Sequence, residues 1–140
     1  MTQEFSDWLV QNGLTEAFTT HAGDAFYVNK EKNFGVLRKN GEYGVKSFYL
    51  DDIIEIKVCD DEKLVVTWDR MNSWRVMERS TRFSTSAVIM KITLRSREII
   101  KLQIFKATNG KIARNSNNHV NLLNYACQIA QIVCNCACGR

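Results

Sequence analysis

At 140 residues the chain fits one compact domain, and 45% apolar with 24% charged residues is ordinary for a folded protein and excludes disorder. Proline is absent, which argues against linkers and a modular layout. The net charge of +4 hides a split: residues 1–69 carry 7 Lys/Arg against 13 Asp/Glu, whereas residues 70–140 carry 12 against 2. Such a split suggests an anionic partner for the second half, unless strands from the two halves interleave and average the field.

The first 20 residues predict a helical cap. Thr2 can cap it, Glu4 and Asp7 suit the positive end of a helix, and Phe5, Trp8 and Leu9 make one apolar face. Asn12-Gly13 stops that helix, and Leu14, Ala17 and Phe18 extend a second short turn on the same side. From Ala25 the period changes to that of strands. Phe26 to Val28 and Phe34 to Arg38 are followed by Asn40-Gly41, a hairpin signal, and a return strand from about Tyr43 to Tyr49. Ile53 to Val58 alternates as a half-buried strand does, and Lys63 to Trp68 follows the polar turn Asp60-Asp61-Glu62. Beyond an irregular stretch from Asp69 to Thr85, Ala87 to Leu94 and Ile99 to Phe105 make a last hairpin.

The final element, residues 116–138, is a helix. Leu122, Ala126, Ile129 and Val133 form one apolar stripe beside Val120, Leu123, Cys127, Ala130, Cys134 and Ala137. Its other face, Asn121, Asn124, Gln128, Gln131 and Asn135, is polar and uncharged, which suits either a plain surface or contact with a second copy in a homodimer. Those same residues interrupt any membrane span, which needs ~20 predominantly apolar positions. The N-terminus has no basic residue before an apolar core, so no secretory signal is read there. The five cysteines, four of them in this helix, are an odd count and read as free thiols. A cytoplasmic protein is the expectation.

The predicted fold is α+β and mostly β: seven antiparallel strands within residues 25–105, in a sandwich or partly open barrel, with a short N-terminal helix and an amphipathic C-terminal one. Seven strands and one closing helix resemble the pleckstrin-homology (PH) superfold. Phe34-Gly35-Val36-Leu37-Arg38, followed by Tyr49-Leu50-Asp51-Asp52-Ile53-Ile54-Glu55-Ile56, is similar to a pattern in small bacterial PH-like domains, and the similarity covers Phe26 to Cys138. Many of those relatives carry an N-terminal metal-binding ribbon, where this chain has the helix containing Trp8. The resemblance implies a scaffold for peptides, lipids or protein surfaces.

No residue set reads as catalytic. The carboxylate pairs Asp51-Asp52 and Asp60-Asp61 fall where turns favour aspartate, and no glycine-rich phosphate loop or other cofactor motif occurs. No metal site is expected either: His21 and His119 stand alone, and Cys134, Cys136 and Cys138 lack zinc-ligand spacing, with Cys136 pointing opposite to the other two on a helix. The best positive feature is the irregular stretch, in which Arg70, Trp74, Arg75, Arg79, Arg82 and Phe83 make a candidate partner-binding set. Arginine forks pair with carboxylate or phosphate, and Trp and Arg are enriched at binding hot spots. The bland alternative is a twisted edge strand with solvated arginines. Lys91, Arg95, Arg97, Lys101 and Lys106 extend a basic surface if register puts them on the same face. The expected function is a non-catalytic protein-interaction module, an adaptor or an inhibitor of a larger protein in a bacterium or one of its mobile elements. Nucleic-acid binding through the basic half is the alternative, and binding of anionic lipid a lesser one.

Overall fold

The structure is a computed structural model, and it describes residues 2–40, 45–77, 84–107, 112–113 and 117–139. The chain opens with helix α1 (Gln3–Gln11), whose cap Thr2 accepts a hydrogen bond from the Phe5 amide. The helix ends at Asn12 and Gly13. Gly13 lies at φ 64°, which an L side chain rarely adopts, and this lets the Leu14 amide fold back onto the Leu9 carbonyl at 2.9 Å.

Strands β1 (Thr15–Thr19), β2 (Ala25–Asn29), β3 (Phe34–Arg38) and β4 (Lys46–Tyr49) follow as an antiparallel meander in that order. A single 3₁₀ turn (Leu50–Asp52) leads to β5 (Ile53–Asp60), β6 (Lys63–Asp69) and β7 (Ser73–Val76). The short β8 (Ser84–Thr85) precedes β9 (Ala87–Leu94), β10 (Ile99–Lys106), the short β11 (Ile112–Ala113) and helix α2 (Asn117–Ala137). The second sheet runs β10-β9-β5-β6-β7, entirely antiparallel, and β8 pairs with β11 in a separate two-residue ladder. The architecture is therefore mostly β with two helices, and among the described residues no ladder closes the two sheets into a barrel.

The two main sheets hold nine strands rather than the seven expected. One addition is β1, where the spacing of Leu14, Ala17 and Phe18 had suggested helix. A bulge between Glu16 and Phe18 shifts the register against β2, so the apolar positions mimic a helical spacing while Phe18 packs on Phe26 with ring centroids 5.5 Å apart. The other is β7, formed inside the irregular stretch. The β3–β4 connection is also longer than a tight Asn-Gly turn: Leu37 faces Lys46, and the return strand begins at Lys46, while residues 41–44 lie outside the described residues.

One apolar core draws on both sheets and on α2, with Phe26, Leu37 and Leu50 from the first sheet region meeting Ile56, Met90, Ile92 and Leu102 from the second and Ala126, Ile129 and Val133 from the helix. Gly35 belongs to this packing, since a Cβ there would approach Leu50 Cδ2 to 2.9 Å and the rings of Phe48 and Phe26 to 3.2 and 3.3 Å. A second, smaller cluster of Leu9, Leu14, Ala25, Tyr27 and Val36 seats α1 on the first sheet, with Phe5 edge-on to Tyr27. Desolvation there pushes the Tyr27 phenol above its ordinary range, with Glu16 adding to the shift and Arg38 opposing it.

Polar groups tie the sheets together where apolar packing does not. The buried Asp24 carboxylate accepts the Asn40 amide at 2.9 Å and the Gln103 amide of β10 at 2.8 Å, while the Thr20 hydroxyl donates to the Gln103 carbonyl at 2.7 Å. These two hydrogen bonds to Gln103 fall at the bulge between Gln103 and Phe105, where the ladder to β9 is interrupted. On α2, Leu122, Ala126, Ile129 and Val133 are buried, whereas Val120 is 47% exposed and Asn121, Asn124, Gln128 and Gln131 face solvent.

Candidate functional site

The β6–β7 hairpin is organised by one carboxylate. Asp69 Oδ1 accepts the backbone amides of Met71 at 3.0 Å and Asn72 at 2.8 Å, and the Asn72 side-chain amide adds to both oxygens. This local bonding is the aspartate-turn chemistry that competes with extended structure. Ser73 then turns the chain at φ 58°, and Arg75 Nη2 reaches Asp69 Oδ2 at 3.2 Å. The backbone and side-chain bonds from Asn72 hold the Asp69 carboxyl below its ordinary range, helped by Met71 and Arg75 and opposed by slight desolvation. A carboxylate with a lowered folded-state pKa stabilises above its unfolded pKa and loses that contribution as pH falls through the folded value. The hairpin is therefore expected to loosen selectively on acidification below about pH 4, the ordinary aspartate value. Amide exchange of Asn72 and Ser73, compared between mild acid and neutral pH, checks this; protection unchanged down to strong acid would refute it.

Strand alternation then separates the residues singled out in this stretch. Trp74 is half-buried and packs toward the core against Trp68, with ring centroids 6.4 Å apart. Arg75, the next residue, points to the opposite, outer face and is exposed. Arg70 sits in the turn and is committed to backbone: its Nε donates to the Ile53 carbonyl at 2.8 Å, and Nη2 donates to the carbonyls of Asp51 at 3.1 Å and Ala137 at 3.0 Å. Its guanidinium also lies 5.8 Å from the Trp68 ring. Arg70 thus pins the hairpin to the end of α2, and Arg70, Trp74 and Arg75 do not converge on one surface. Arg79, Arg82 and Phe83 lie outside the described residues.

Register builds a different constellation on the outer face of the second sheet. Lys101 faces Lys91, Lys91 faces Lys57, Lys57 faces Thr67, and Thr67 faces Arg75. Four cations and one buried threonine thus form a single row across all five strands, spanning about 19 Å at ~4.8 Å per strand. The next row carries Thr93, Glu55, Asp69 and Ser73 in register, with Ile99 at the β10 end. Lys57 meets Glu55 at 3.4 Å and Arg75 meets Asp69 at 3.2 Å, both across partly exposed pairs. Lys91 and Lys101 make no ion pair among the described residues. Arg95 and Arg97 are not in the row: both lie in the β9–β10 turn, where Arg95 Nε donates to the Asp51 carbonyl at 3.2 Å.

This row mixes the two halves of the chain. β5 and β6 come from the acidic half and β7, β9 and β10 from the basic half, so interleaving tempers the charge split without erasing it. Three lysines directly opposite one another are unfavourable for the sheet, because like-charged cross-strand neighbours destabilise it.

The remaining polar constellation is buried. His119 Nε2, on the first turn of α2, lies 2.9 Å from Asp60 Oδ2, and the Thr85 hydroxyl donates to Asp60 Oδ1 at 2.8 Å. All three residues are buried. The carboxylate stands between hydroxyl and imidazole, whereas nucleophilic catalysis puts the base beside the nucleophile. Asp60 had been read as part of a turn, and the true turn is Asp61 and Glu62. Asp61, at φ 54°, accepts bonds from the Ser86 amide and hydroxyl and from the Ala87 amide. No local signal marks Asp60, because its imidazole partner is 59 residues away.

The thiols fall differently from the helical-wheel expectation: Cys134 and Cys136 are both buried in the core and Cys138 is exposed. Burial pushes the Cys127 and Cys136 thiols up, which makes them weak nucleophiles at neutral pH. Among the described residues no group of three His, Cys, Asp or Glu side chains is placed to hold a metal, and no helix is long and apolar enough to cross a membrane. No protein-family model, curated protein or solved structure matches this chain.

Proposed function

We propose that the chain is a non-catalytic protein-interaction module, an adaptor or an inhibitor of a larger protein on a PH-like scaffold, and that it engages an acidic protein surface through the outer face of its five-stranded sheet. The observation that carries this reading is the row Lys101, Lys91, Lys57 and Arg75, held in register across four strands at a cost to the sheet. The neighbouring row, with Glu55 and Asp69, favours a protein over a polyphosphate. A nucleic-acid backbone laid on the cations would also meet those carboxylates, while a folded partner can present complementary charges to both rows. The aromatic residue next to the row, Trp74, lies on the other face of β7, so it offers no stacking platform for bases beside the cations.

Affinity capture from a lysate of the native cells, with and without nuclease, tests the reading. A defined protein is expected in both arms. The double variant K91E/K101E, which touches no described ion pair, is expected to lower its affinity at least tenfold with the fold intact by circular dichroism. Capture that disappears with nuclease and falls steeply with salt would instead make the row a phosphate-binding surface.

A further inference from the structure

The open edge of β7 continues the cationic row. The Met77 amide donates to the Val65 carbonyl at 2.8 Å, and Val76 faces Val66, so Met77 and Val65 form a hydrogen-bonded pair. Such pairs alternate along an antiparallel ladder. Arg75 and Ser73 therefore turn their backbone groups toward β6, and Trp74 and Val76 turn theirs outward. β7 pairs only with β6, and among the described residues nothing bonds those outward amides and carbonyls. The far edge of the same sheet is treated differently, because Asp24 and Thr20 occupy the Gln103 amide and carbonyl on β10.

Exposed apolar side chains lie at this edge, Val76 at 83% and Met77 at 40% exposed, and Met71 in the hairpin turn is 93% exposed. β7 is short and carries the charged Arg75, which limits self-association, but its outward backbone groups have no partner among the described residues, and an unpaired edge is a template for another strand. A second copy is the wrong occupant. Two β7 strands paired antiparallel would bring Arg75 near its own symmetry mate and extend a row of like charges, which destabilises the pairing. An acidic residue opposite Arg75 would end the row with a favourable cross-strand pair, at the modest cost of weakening an exposed Arg75–Asp69 contact.

We infer that the partner contributes an extended segment that adds to β7 as a sixth strand of the sheet, with acidic residues on the outer face and apolar residues toward Trp74. This rests on the protein-interaction reading and names the partner's chemistry. Backbone bonds would supply affinity, and alternate side chains specificity.

The test uses a synthetic peptide alternating glutamate and valine, one alternating lysine and valine, and a thymidine oligonucleotide, with binding followed by fluorescence anisotropy and backbone amide exchange. The acidic peptide is expected to bind and slow exchange of the Trp74 amide at least tenfold, and the lysine peptide is not. V76P removes one outward donor and leaves the β6 ladder untouched, as edge strands tolerate; it should weaken the acidic peptide at least tenfold, while V76A changes it by less than threefold. Equal binding by V76P and wild type, or no binding of the acidic peptide, overturns strand addition. If K91E/K101E still abolishes capture of the cellular protein in that event, the interaction reading stands without it. Binding of the oligonucleotide alone overturns both.

Discussion

Replacing Asp60 with alanine is expected to destabilise the protein by about 2–4 kcal/mol, since it removes the buried acceptor of two hydrogen bonds and each buried polar group deprived of its partner costs ~1–3 kcal/mol. The residue is almost wholly out of solvent, and it holds two other buried groups, the Thr85 hydroxyl and the His119 imidazole. Alanine leaves both without that acceptor and opens a cavity at the point where β5, β8 and the first turn of α2 meet. Small domains have only ~5–15 kcal/mol of stability, so D60A is expected to lie near the folding threshold. Denaturant unfolding measures the loss. Because a poorly folding variant would say little by itself, the cycle of T85V, H119A and the double variant T85V/H119A complements it. Coupling above about 0.5 kcal/mol marks a shared network. Additive losses, or a D60A cost under about 1 kcal/mol, would show that α2 is held by its apolar stripe alone.

Asp24 is the second position of large effect. Its two oxygens each accept a backbone amide, one from Asn40 and one from Gln103, and the latter bond crosses from one sheet to the other. D24A removes the acceptor of both part-buried amides and is expected to cost about 1–3 kcal/mol, because the amide of the exposed Asn40 can turn to water while the Gln103 amide loses its tie. D24N does not rescue it, because an amide side chain presents a donor to at least one of the two amides. The distinguishing readout is local. Exchange of the Gln103 amide should accelerate more than that of Ile92 in the centre of the sheet. Uniform acceleration would mean that the carboxylate supports stability globally and is not the tie between the sheets.

Asp60 reads as a turn residue in the sequence, and that assignment misses the point, while Asp24 carries no signal of its own. Turn chemistry is local, so Asp69, which accepts the amides of Met71 and Asn72, fits it well; Asp61 sits in a turn but bonds Ser86 and Ala87 at the start of a distant strand. Asp60 and Asp24 bond groups 59 and 79 residues away, and nothing in their neighbourhoods distinguishes them from a solvated turn residue. The candidate site divides the same way. That Arg75 and Lys91 belong to a basic second half is visible in the composition, but that they share a row with Lys57 is a statement about register across β9, β5, β6 and β7. Conversely, Arg70 and Trp74 look like interface residues in the chain and are turned to internal work by the hairpin they occupy.

Elements whose signal has a short period are legible in the chain alone: the alternation in β9 and β10, the apolar stripe that buries α2, and the Asn12-Gly13 stop of α1. These follow from steric and hydrophobic patterns that repeat within a few residues, so no distant partner is needed to read them. That Thr15–Thr19 is a strand, that Trp74 and Arg75 face opposite ways, and that three lysines and an arginine line up on one face are facts of strand pairing. Each of those outcomes depends on which strands pair and in what register, and a one-residue slip would send every side chain to the other side of the sheet.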